Sequence, residues 1–540
     1  MPLLDEVQEF AFCVEPEGYY LYAAGKEHFF PFRENILADG VYPDDMKPLL
    51  KVIFSGNRTA LVPDIKSVVR FLTSLEVEPS CRLEDVLLLR YLSNSELRPA
   101  DPKDLAKDFS LPESECAYAL KLTFDDTLKT VKGTAEEKLY RELELPLAYV
   151  LMDMENEGVC VDSDKFGFFR DKFNGELKEL SEKIYALAGE VFNINSTAKL
   201  SEILFDKLGY SSKGLKKTQR GGYSTNAEVL EKLAEKHEIA RLILRYRELQ
   251  KLLSTYVDGI APLVKRGKVH TTYNQTMTTT GRLSSANPNL QNIPVSTQEG
   301  RELRKLFVAS EGNILIDADY SQIELRLLAH FSGEERLIKA YNEGADIHSE
   351  TAAQVFGVSE VTPQMRRAAK VINFGIIYGM GAFAFSKDLN CSVAEAQAYI
   401  DRYFSRYPAV KTYMEENIRR AKEDGYIVTI LGRKRYIPEL KSSNANIRGF
   451  GERAARNMPL QGSAADIIKI AMLRVVERLP KEGLHAKMVL QVHDELMLDC
   501  PVNEAARAEK ILQEEMENAV SLKVPLTVNV ARGKSWYEAK

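Results

Sequence analysis

The chain has 540 residues, a formal net charge of −6 at pH 7 and a hydrophobic fraction of 45%. Because a single core rarely grows beyond about 250–300 residues, this length predicts several domains of ordinary globular composition. No apolar run could span a membrane, no basic signal-peptide segment opens the chain, and the acidic balance disfavours a simple nucleic-acid coat while still allowing a basic channel.

The first 130 residues or so alternate short apolar strands with helical stretches. Strands are predicted at 10–14 and 19–22, and a helix is predicted at 65–72. This alternation predicts a compact α/β or α+β domain at the N-terminal side of the chain.

Helical patterns dominate the middle of the chain. Residues 134–156 form an amphipathic stretch that Pro146 would kink or split. Long charged helices are predicted between about 165 and 255, around a glycine-rich break at 214–222, and again between 331 and 430. Strands return near 426–431, 487–499 and 526–530. The pattern indicates a helix-rich α+β body.

Two acidic segments lie at the ends of predicted strands. A strand at 313–316 runs into Asp317 and Asp319, and a strand at 487–492 ends in a turn that carries Asp494. Unpaired carboxylates are costly to bury, but carboxylates at strand ends can meet at one point, where a shared Mg²⁺ offsets their repulsion. Two such ions would stabilise the attacking and leaving oxygens of a phosphoryl transfer. The six cysteines form no CxxC pair, which favours reduced thiols over a zinc site.

A basic and aromatic stripe is predicted on the helix at 366–378. Arg366, Lys370, Phe374 and Tyr378 are four residues apart, so they fall on one helical face. Two cations followed by two rings match a nucleoside triphosphate, with its phosphates at one end and its sugar and base at the other. An amphipathic helix with a basic surface and an aromatic core would give the same spacing.

Positive charge is concentrated outside the first 200 residues. Clusters occur at 213–220, 301–305, 366–370, 419–422 and 433–435. Any one of them can be a solvated face, but together they favour a groove that follows phosphates. His348 can be interpreted as a further phosphate donor or as a histidine at a helix start.

Five segments together resemble one known family. They are residues 280–294, 319–324, 366–379, 461–468 and 491–495. In this order they are similar to the motifs of family A DNA polymerases, in particular of the Klenow-like large fragment, and the resemblance extends from about residue 135 to the end.

The resemblance implies an α+β right-hand polymerase of palm, thumb and fingers, with an N-terminal α/β 3′–5′ exonuclease-like domain. The implied boundaries are 1–132 for the exonuclease-like domain, 133–540 for the polymerase, about 175–265 for the thumb, about 266–330 and 435–540 for the palm, and about 331–434 for the fingers. It further implies template-directed extension of a DNA primer with dNTPs, in replication or repair, by a cytoplasmic, nucleoid-associated monomer without a membrane partner.

The resemblance also implies roles for individual residues. Asp319, Asp494 and the backbone carbonyl of Tyr320 would hold two Mg²⁺, for which Mn²⁺ could substitute, with Glu495 beside the metals. Lys370 would donate a proton to the departing pyrophosphate. The implied dNTP contacts are Arg366, Lys370, Phe374, Tyr378, His348, Glu324 and Gln322. The implied DNA contacts are Arg282, Asn289, Gln291, Arg453, Asn457, Gln461 and His493.

Glu324 has two competing interpretations. Ser321 and Glu324 form an S-x-x-E pattern, which is typical of a capping box at the start of a helix over 322–330. The resemblance instead implies a steric gate that disfavours a ribose 2′-hydroxyl, and the two roles could coexist.

The N-terminal domain departs from the family pattern. An exonuclease of this kind needs several acidic ligands for its own metal pair. Aligned by eye, only Glu15 is retained, with Ser55, Thr59 and Leu122 at other ligand positions, although Asp125 and Asp126 lie close in sequence to Leu122. The sequence therefore predicts a domain that does not cut DNA, and it offers no segment that resembles a 5′ nuclease.

Two other functions remain open. RNA synthesis or reverse transcription is one, and Glu324 argues against the former while template choice is unconstrained. A DNA-binding protein without catalysis is the other. The retention of Asp319, Asp494, Arg366 and Lys370 argues against it, because a scaffold has no need of them.

Overall fold

The computed structural model describes residues 7–33, 40–97, 100–217 and 222–540. The chain divides into two compact units. The first comprises Met1–Glu157, Tyr273–Ala286 and Asp317–Val530, and the second comprises Gly158–Thr272, Asn287–Ile316 and Ala531–Lys540. Both helices and strands are abundant, as the α+β prediction requires.

The strands, in chain order, are β1 (Glu9–Glu15), β2 (Gly18–Ala23), β3 (Lys26–Pro31), β4 (Thr59–Val62), β5 (Arg82–Asp85), β6 (Val159–Cys160), β7 (Lys268–Val269), β8 (Thr272–Asn274), β9 (Ser284–Ala286), β10 (Asn313–Tyr320), β11 (Tyr426–Val428), β12 (Lys434–Tyr436), β13 (Lys487–Val492), β14 (Glu495–Pro501) and β15 (Val528–Gly533).

The α-helices are α1 (Pro43–Ile53), α2 (Ile65–Ser74), α3 (Val86–Ser93), α4 (Pro102–Asp108), α5 (Cys116–Val131), α6 (Ala135–Leu139), α7 (Leu145–Glu157), α8 (Ser163–Ala188), α9 (Thr197–Ser201), α10 (Ala227–Ala234), α11 (Glu238–Lys251), α12 (Gln298–Leu303), α13 (Ile323–Ser332), α14 (Glu335–Asn342), α15 (Ile347–Phe356), α16 (Pro363–Ile377), α17 (Ala382–Asp388), α18 (Val393–Arg406), α19 (Pro408–Asp424), α20 (Ala445–Lys481) and α21 (Ala505–Glu517).

A five-stranded sheet of order β3-β2-β1-β4-β5 opens the first unit. β1 is antiparallel to β2 and parallel to β4. Successive side chains of a strand point to opposite faces. Accordingly, Phe10 and Phe12 enter one apolar core, and Ala11 and Cys13 enter another, so both faces of the sheet are covered. The strands predicted at 10–14 and 19–22 and the helix predicted at 65–72 are all present.

The helical stretch predicted at 134–156 is interrupted ahead of Pro146. A π-helical turn over Tyr140–Glu144 joins α6 to α7. At its end the backbone N–H of Leu145 donates to the carbonyl of Tyr140. Proline lacks an amide hydrogen, and the widened turn places this irregularity before the proline enters the first turn of α7.

A second sheet, of order β13-β14-β10-β15, provides the frame for the site described below. The first unit holds β13, β14, β10 from Asp317 onward and β15 up to Val530. β13 and β14 form a hairpin in which Val492 pairs with Glu495, which confirms the predicted turn between them. The strand predicted at 313–316 is longer than expected, because β10 continues through both aspartates to Tyr320.

The second unit is mainly helical. α8 and α11 confirm the two long helices predicted between 165 and 255, and their core includes Ile184, Leu200 and Ile243. The predicted glycine-rich break at 214–222 falls partly outside the described residues. None of the helices in the described ranges combines the length and the apolar character that a membrane crossing requires.

Candidate active site

A cavity of about 460 Å³ in the first unit is lined by most of the site residues predicted from the sequence. Its lining consists of Arg282, Tyr320, Ser321, Gln322, Ile323, Glu324, His348, Arg366, Lys370, Phe374, Tyr378, His493, Asp494 and Asn529. These residues come from the end of β10 and the start of α13, from α15 and α16, from the β13–β14 turn and from β15. Segments far apart in sequence thus converge on one concave surface.

The two acidic segments meet in the middle of the second sheet, where β10 ends beside the turn that precedes β14. This end of the strands is called the strand edge. The backbone N–H of Tyr320 donates to the carbonyl of Asp494 at 3.1 Å. Asp319 directly precedes Tyr320 on β10, so it lies beside the turn that carries Asp494. His493 has φ 57°, a left-handed conformation suited to a two-residue hairpin turn. Sheet pairing therefore brings together two backbone segments whose aspartates are 175 positions apart.

The donor chemistry at this edge fits a hard divalent cation. Asp319 and Asp494 offer carboxylate oxygens, and Tyr320 offers a backbone carbonyl oxygen. No group of three or more His, Cys, Asp or Glu side chains arranged to hold a metal occurs within the described ranges. Mg²⁺ is commonly bound by only one or two carboxylates, with water and substrate phosphates completing its coordination, so this small protein donor set suits it.

The predicted capping box at Glu324 does not form, and that prediction is wrong. The N-cap of α13 is Gln322, in a left-handed conformation with φ 56°, and no side chain caps the helix. The Glu324 carboxylate instead accepts bonds from Arg282 Nη2 at 2.7 Å and from the Tyr378 hydroxyl at 3.1 Å. Glu324 is only 6% exposed, so these two bonds fix it at the cavity wall. Burial, and then this carboxylate, raise the pKa of Tyr378 well above its usual value.

The predicted stripe on α16 is confirmed as a cavity wall. Arg366, Lys370, Phe374 and Tyr378 all line it, so the four-residue spacing marks a face that borders a cavity rather than an aromatic core. Arg366 makes a two-pronged ion pair with Asp346, at 2.6 Å and 3.3 Å.

That ion pair lowers the pKa of the Asp346 carboxyl. Burial alone would raise its pKa, but the bond from Arg366 lowers the pKa to about 2. A fixed carboxylate therefore faces the Arg366 guanidinium at the cavity edge.

His348 lies almost completely buried, at 3% exposure, in the first turn of α15. Its Nδ1 is 3.0 Å from Nδ2 of Asn373 on α16. Burial lowers the pKa of His348 to about 4, with Arg366 and Lys370 acting in the same direction and Asp346 opposing them. The ring is therefore neutral at pH 7.

Some nominated residues lie outside the cavity lining. Asp319 and Glu495 belong to β10 and β14, and Glu495 is buried. Arg453, Asn457 and Gln461 are four apart on one side of α20, and all three retain solvent exposure.

Asn289 and Gln291 belong to the second unit, where the Asn289 side chain accepts from the Gln291 backbone N–H at 3.0 Å. The structure therefore does not place these two with the first-unit residues.

α20 also approaches the end of the α16 stripe. Gly379 has φ +66°, a left-handed conformation that favours glycine. A Cβ atom at this position would lie only 3.0 Å from Arg453 Cγ, so the absence of a side chain permits the close approach. The nominated face of α20 is thereby connected to the aromatic end of α16.

Three lining residues carried no sequence prediction of a site role, namely Ser321, Ile323 and Asn529. Asn529 is the informative one, because it lies on β15 in a segment interpreted only as a strand. Its approach depends on the pairing of β15 with β10, for which the local sequence carries no signal.

The N-terminal sheet carries the other nominated acidic position. Glu15 ends β1, whereas Thr59 pairs with Glu9 at the opposite end of that strand. Leu122 lies on α5, and Ser55 follows α1. The sheet register thus keeps Thr59 away from Glu15.

The charges near Glu15 do not resemble a metal site. Lys103 forms an ion pair with Glu17 and acts electrostatically on Glu15, whose pKa burial nevertheless raises. Asp125 is held by Lys121 at 2.5 Å, and Asp126 lies 3.5 Å from Lys129. The carboxylates that act on Glu15 are themselves engaged, since Glu17 pairs with Lys103 and Asp101 caps the start of α4.

Comparison with known proteins identifies the family. The model of "DNA polymerase family A" matches residues 163–538. The chain belongs to DNA polymerase family A. The family membership predicted from the five segments is confirmed.

Curated relatives of this family A chain bear the name DNA polymerase I. That of Caldicellulosiruptor bescii is 42% identical over 533 residues, covering 96% of this chain and 62% of the relative. That of Bacillus subtilis is 49% identical over 429 residues, covering 78% and 48%. The thermostable enzyme of Thermus thermophilus is 44% identical over 496 residues, covering 90% and 58%. The chain therefore spans about half to three-fifths of the length of these relatives.

A solved structure of the POL domain of Pol1 from M. smegmatis, in complex with DNA primer-template and dNTP, is similar over nearly the whole family A chain. It superposes with a TM-score of 0.87 at 35% identity, covering 98% of this chain and 95% of that one. This similarity confirms the predicted α+β polymerase fold.

Proposed function

We propose that the chain is a DNA-directed DNA polymerase that extends a primer 3′ end with dNTPs. The observation that carries this proposal is the single cavity lined by the cationic and aromatic face of α16 and by Asp494 of the strand edge. Membership of family A and the similarity to a POL domain solved with primer-template and dNTP support it. Phosphoryl transfer depends chiefly on positioning and charge stabilisation, which is what such a cavity provides.

Asp319, Asp494 and the Tyr320 carbonyl are the residues that would hold two Mg²⁺, with Mn²⁺ as a substitute. When bound, such ions stabilise the charge on the attacking and leaving oxygens. Glu495 lies next to Asp494 at the start of β14, where its buried carboxylate would support this edge.

The α16 stripe would bind and orient the nucleotide. Arg366 and Lys370 supply positive charge for the triphosphate, and Lys370 would protonate the departing pyrophosphate. The anionic triphosphate would compete with Asp346 for Arg366, since the ion pair of these two residues lies at the cavity edge.

The aromatic end of the cavity would select the sugar. Phe374 and Tyr378 face the space that the sugar and base would occupy, and Gln322 lies at the start of α13 beside them. Glu324, fixed by Arg282 and Tyr378, would act as the steric gate against a 2′-hydroxyl. This immobilised carboxylate favours DNA synthesis over the alternative of RNA synthesis.

The remaining nominated residues would bind the primer-template duplex. Arg453, Asn457 and Gln461 form an accessible row on α20, and Arg282 and His493 line the cavity. Asn289 and Gln291 of the second unit are also proposed as DNA contacts. We further propose that the protein acts as a monomer in replication or repair at the nucleoid, with the thumb, palm and fingers boundaries given above.

We also propose that residues 1–132 form an exonuclease-like domain without 3′–5′ proofreading activity. The support is the placement of the neighbouring groups: Thr59 lies at the far end of β1, Glu17 pairs with Lys103, and Asp101 caps the start of α4. Carboxylates that are engaged in this way make a poor site for two divalent ions.

A primer-extension assay with paired and mismatched primers tests these proposals. The purified chain should extend a paired primer with dNTPs in Mg²⁺, and Asp319→Asn and Asp494→Asn should abolish extension while DNA binding persists. Abundant synthesis by either variant would contradict the metal assignment. Absence of synthesis by the unaltered chain, with DNA binding intact, would favour the non-catalytic alternative.

A further inference from the structure

A buried polar chain links α15 to α16 behind the cavity wall. Asn373 lies on α16 between Lys370 and Phe374 in sequence, yet it is fully buried, at 0% exposure. Thr351 on α15 is also fully buried and lies one helical turn from His348. No role was predicted for Asn373 or Thr351, and buried polar groups of this kind need partners to offset their desolvation.

The hydrogen bonds that link Thr351, Asn373 and His348 all have the same donor-to-acceptor direction. The Thr351 hydroxyl donates to Asn373 Oδ1 at 3.2 Å. This bond orients the amide, so that Asn373 Nδ2 faces His348 Nδ1 at 3.0 Å. An amide nitrogen carries only donor hydrogens, and therefore Nδ1 must be the accepting, unprotonated nitrogen of the ring. The ring proton is then on Nε2.

Protonation of His348 would break this arrangement. An imidazolium carries hydrogens on both nitrogens, so its Nδ1–H would face the Asn373 N–H, donor against donor. The Phe374 ring, with its centroid 5.9 Å from that of the imidazole, restricts the space available to His348. His348 is thereby held as a neutral donor at the wall of the cavity.

We infer that Asn373, oriented by Thr351, is a positioning residue that fixes His348 as a neutral Nε2–H donor to the nucleotide triphosphate. This inference rests on the proposed polymerase function, since the triphosphate is the ligand that His348 would contact. A neutral donor adds direction to the charge supplied by Arg366 and Lys370 without adding a third cation.

The first test reads the tautomer and needs no activity. Long-range ¹H–¹⁵N spectra of the full chain with ¹⁵N-labelled histidine would resolve the signals of the seven histidines, and His348→Ala would identify the relevant one. We expect the neutral Nε2–H form at pH 7, and the imidazolium in Asn373→Asp, whose carboxylate accepts but cannot donate when ionised. An Nδ1–H tautomer or an imidazolium in the unaltered protein would overturn the inference.

The second test is a kinetic cycle of the unaltered chain, Asn373→Ala, His348→Ala and the double variant. Asn373→Ala should raise KM for dNTP about three- to tenfold, the usual worth of a neutral hydrogen bond, with little change in kcat. The same substitution should have no further effect when His348 is already alanine. Additive effects, or an unchanged KM in His348→Ala, would overturn the inference.

Thr351 provides the matched control. Thr351→Ser keeps the hydroxyl and should retain the KM of the unaltered chain, whereas Thr351→Val keeps the shape and should raise KM as Asn373→Ala does. Equal KM values for the two variants would contradict the orienting role. Failure of the proposed function would look different, because the unaltered chain would then extend no primer while its His348 signal could still be read.

Discussion

The end of β10 at Asp319 (the first edge) and the end of β1 at Glu15 (the second edge) each place a carboxylate at the end of a largely buried strand. At the first, sheet pairing adds Asp494, and the α16 cations line the adjoining cavity. At the second, Lys103 opposes the effects of Asp101 and Glu17 on the carboxylate, and the neighbouring strand places Thr59 at the far end. An intact sheet is therefore not sufficient for a metal site. The partners that the fold brings to the strand end decide its chemistry.

The largest expected difference between the two edges is catalytic. Asp494→Asn keeps the shape of the side chain but removes its charge, and should lower kcat for primer extension by about 10³-fold or more. Glu15→Gln makes the matching change at the other edge and should leave extension unchanged. Single-turnover extension of a paired primer measures both variants. Equal losses in the two would show that the edges are not functionally distinct.

The next largest effect concerns sugar selection at the first edge. Glu324→Ala should relax rejection of ribonucleotides by about 10- to 100-fold, the range expected for one hydroxyl in a shaped pocket. Comparison of kcat/KM for a dNTP and its ribonucleotide measures this effect.

Tyr378→Phe is the control, because it removes one bond to Glu324 but keeps the ring. Its relaxation should be smaller. Unchanged rejection of ribonucleotides in Glu324→Ala would exclude the gate.

A smaller effect is expected in the pH dependence of folding stability, beginning with His348 in the cavity wall. The pKa of His348 is lowered by burial to about 4. The unfolded chain therefore binds a proton near pH 6.5 that the folded chain does not bind until about pH 4, so stability falls as pH drops through this window. His348→Ala should flatten that part of the profile, as measured by urea unfolding at a series of pH values.

The N-terminal edge should behave with the opposite sign. Burial raises the pKa of Glu15, so this group contributes stability at low pH that is lost as pH rises through its folded-state pKa. Glu15→Gln should remove that contribution, and a loss of the His348 window in this variant would contradict the assignment.

No 3′ trimming of DNA is expected at the Glu15 strand end. A mismatched primer incubated with Mg²⁺ and no dNTP should remain uncut, because the carboxylates that act on Glu15 are engaged, Glu17 with Lys103 and Asp101 at the start of α4. Gel analysis of the primer 3′ end measures this. Trimming by the unaltered chain that disappears in Glu15→Gln would refute the proposed inactivity and remove the contrast between the two edges.

Much of the site was predictable because its signals are local. The four-residue spacing of the α16 stripe follows from the helical repeat, and the β13–β14 turn follows from two apolar runs around a short polar break. Glu324 shows the limit of local reasoning. Its S-x-x-E pattern satisfies the capping rule, yet Arg282 and Tyr378 bind the carboxylate and Gln322 becomes the N-cap.

Sequence alone determined the family, through five short segments, together with the four-residue stripe on α16 and the acidic strand ends, because each of these signals is local. Only the tertiary structure decided which partners those groups meet. Asp319 meets the Asp494 turn through sheet pairing, Asn529 enters through β15, and Asn373 meets His348 through helix packing. The physical reason is that burial and hydrogen bonding at a contact depend on two side chains. A single segment of sequence contains only one of the two. A carboxylate at a strand end is thus predictable, but its role depends on the groups that the fold places around it.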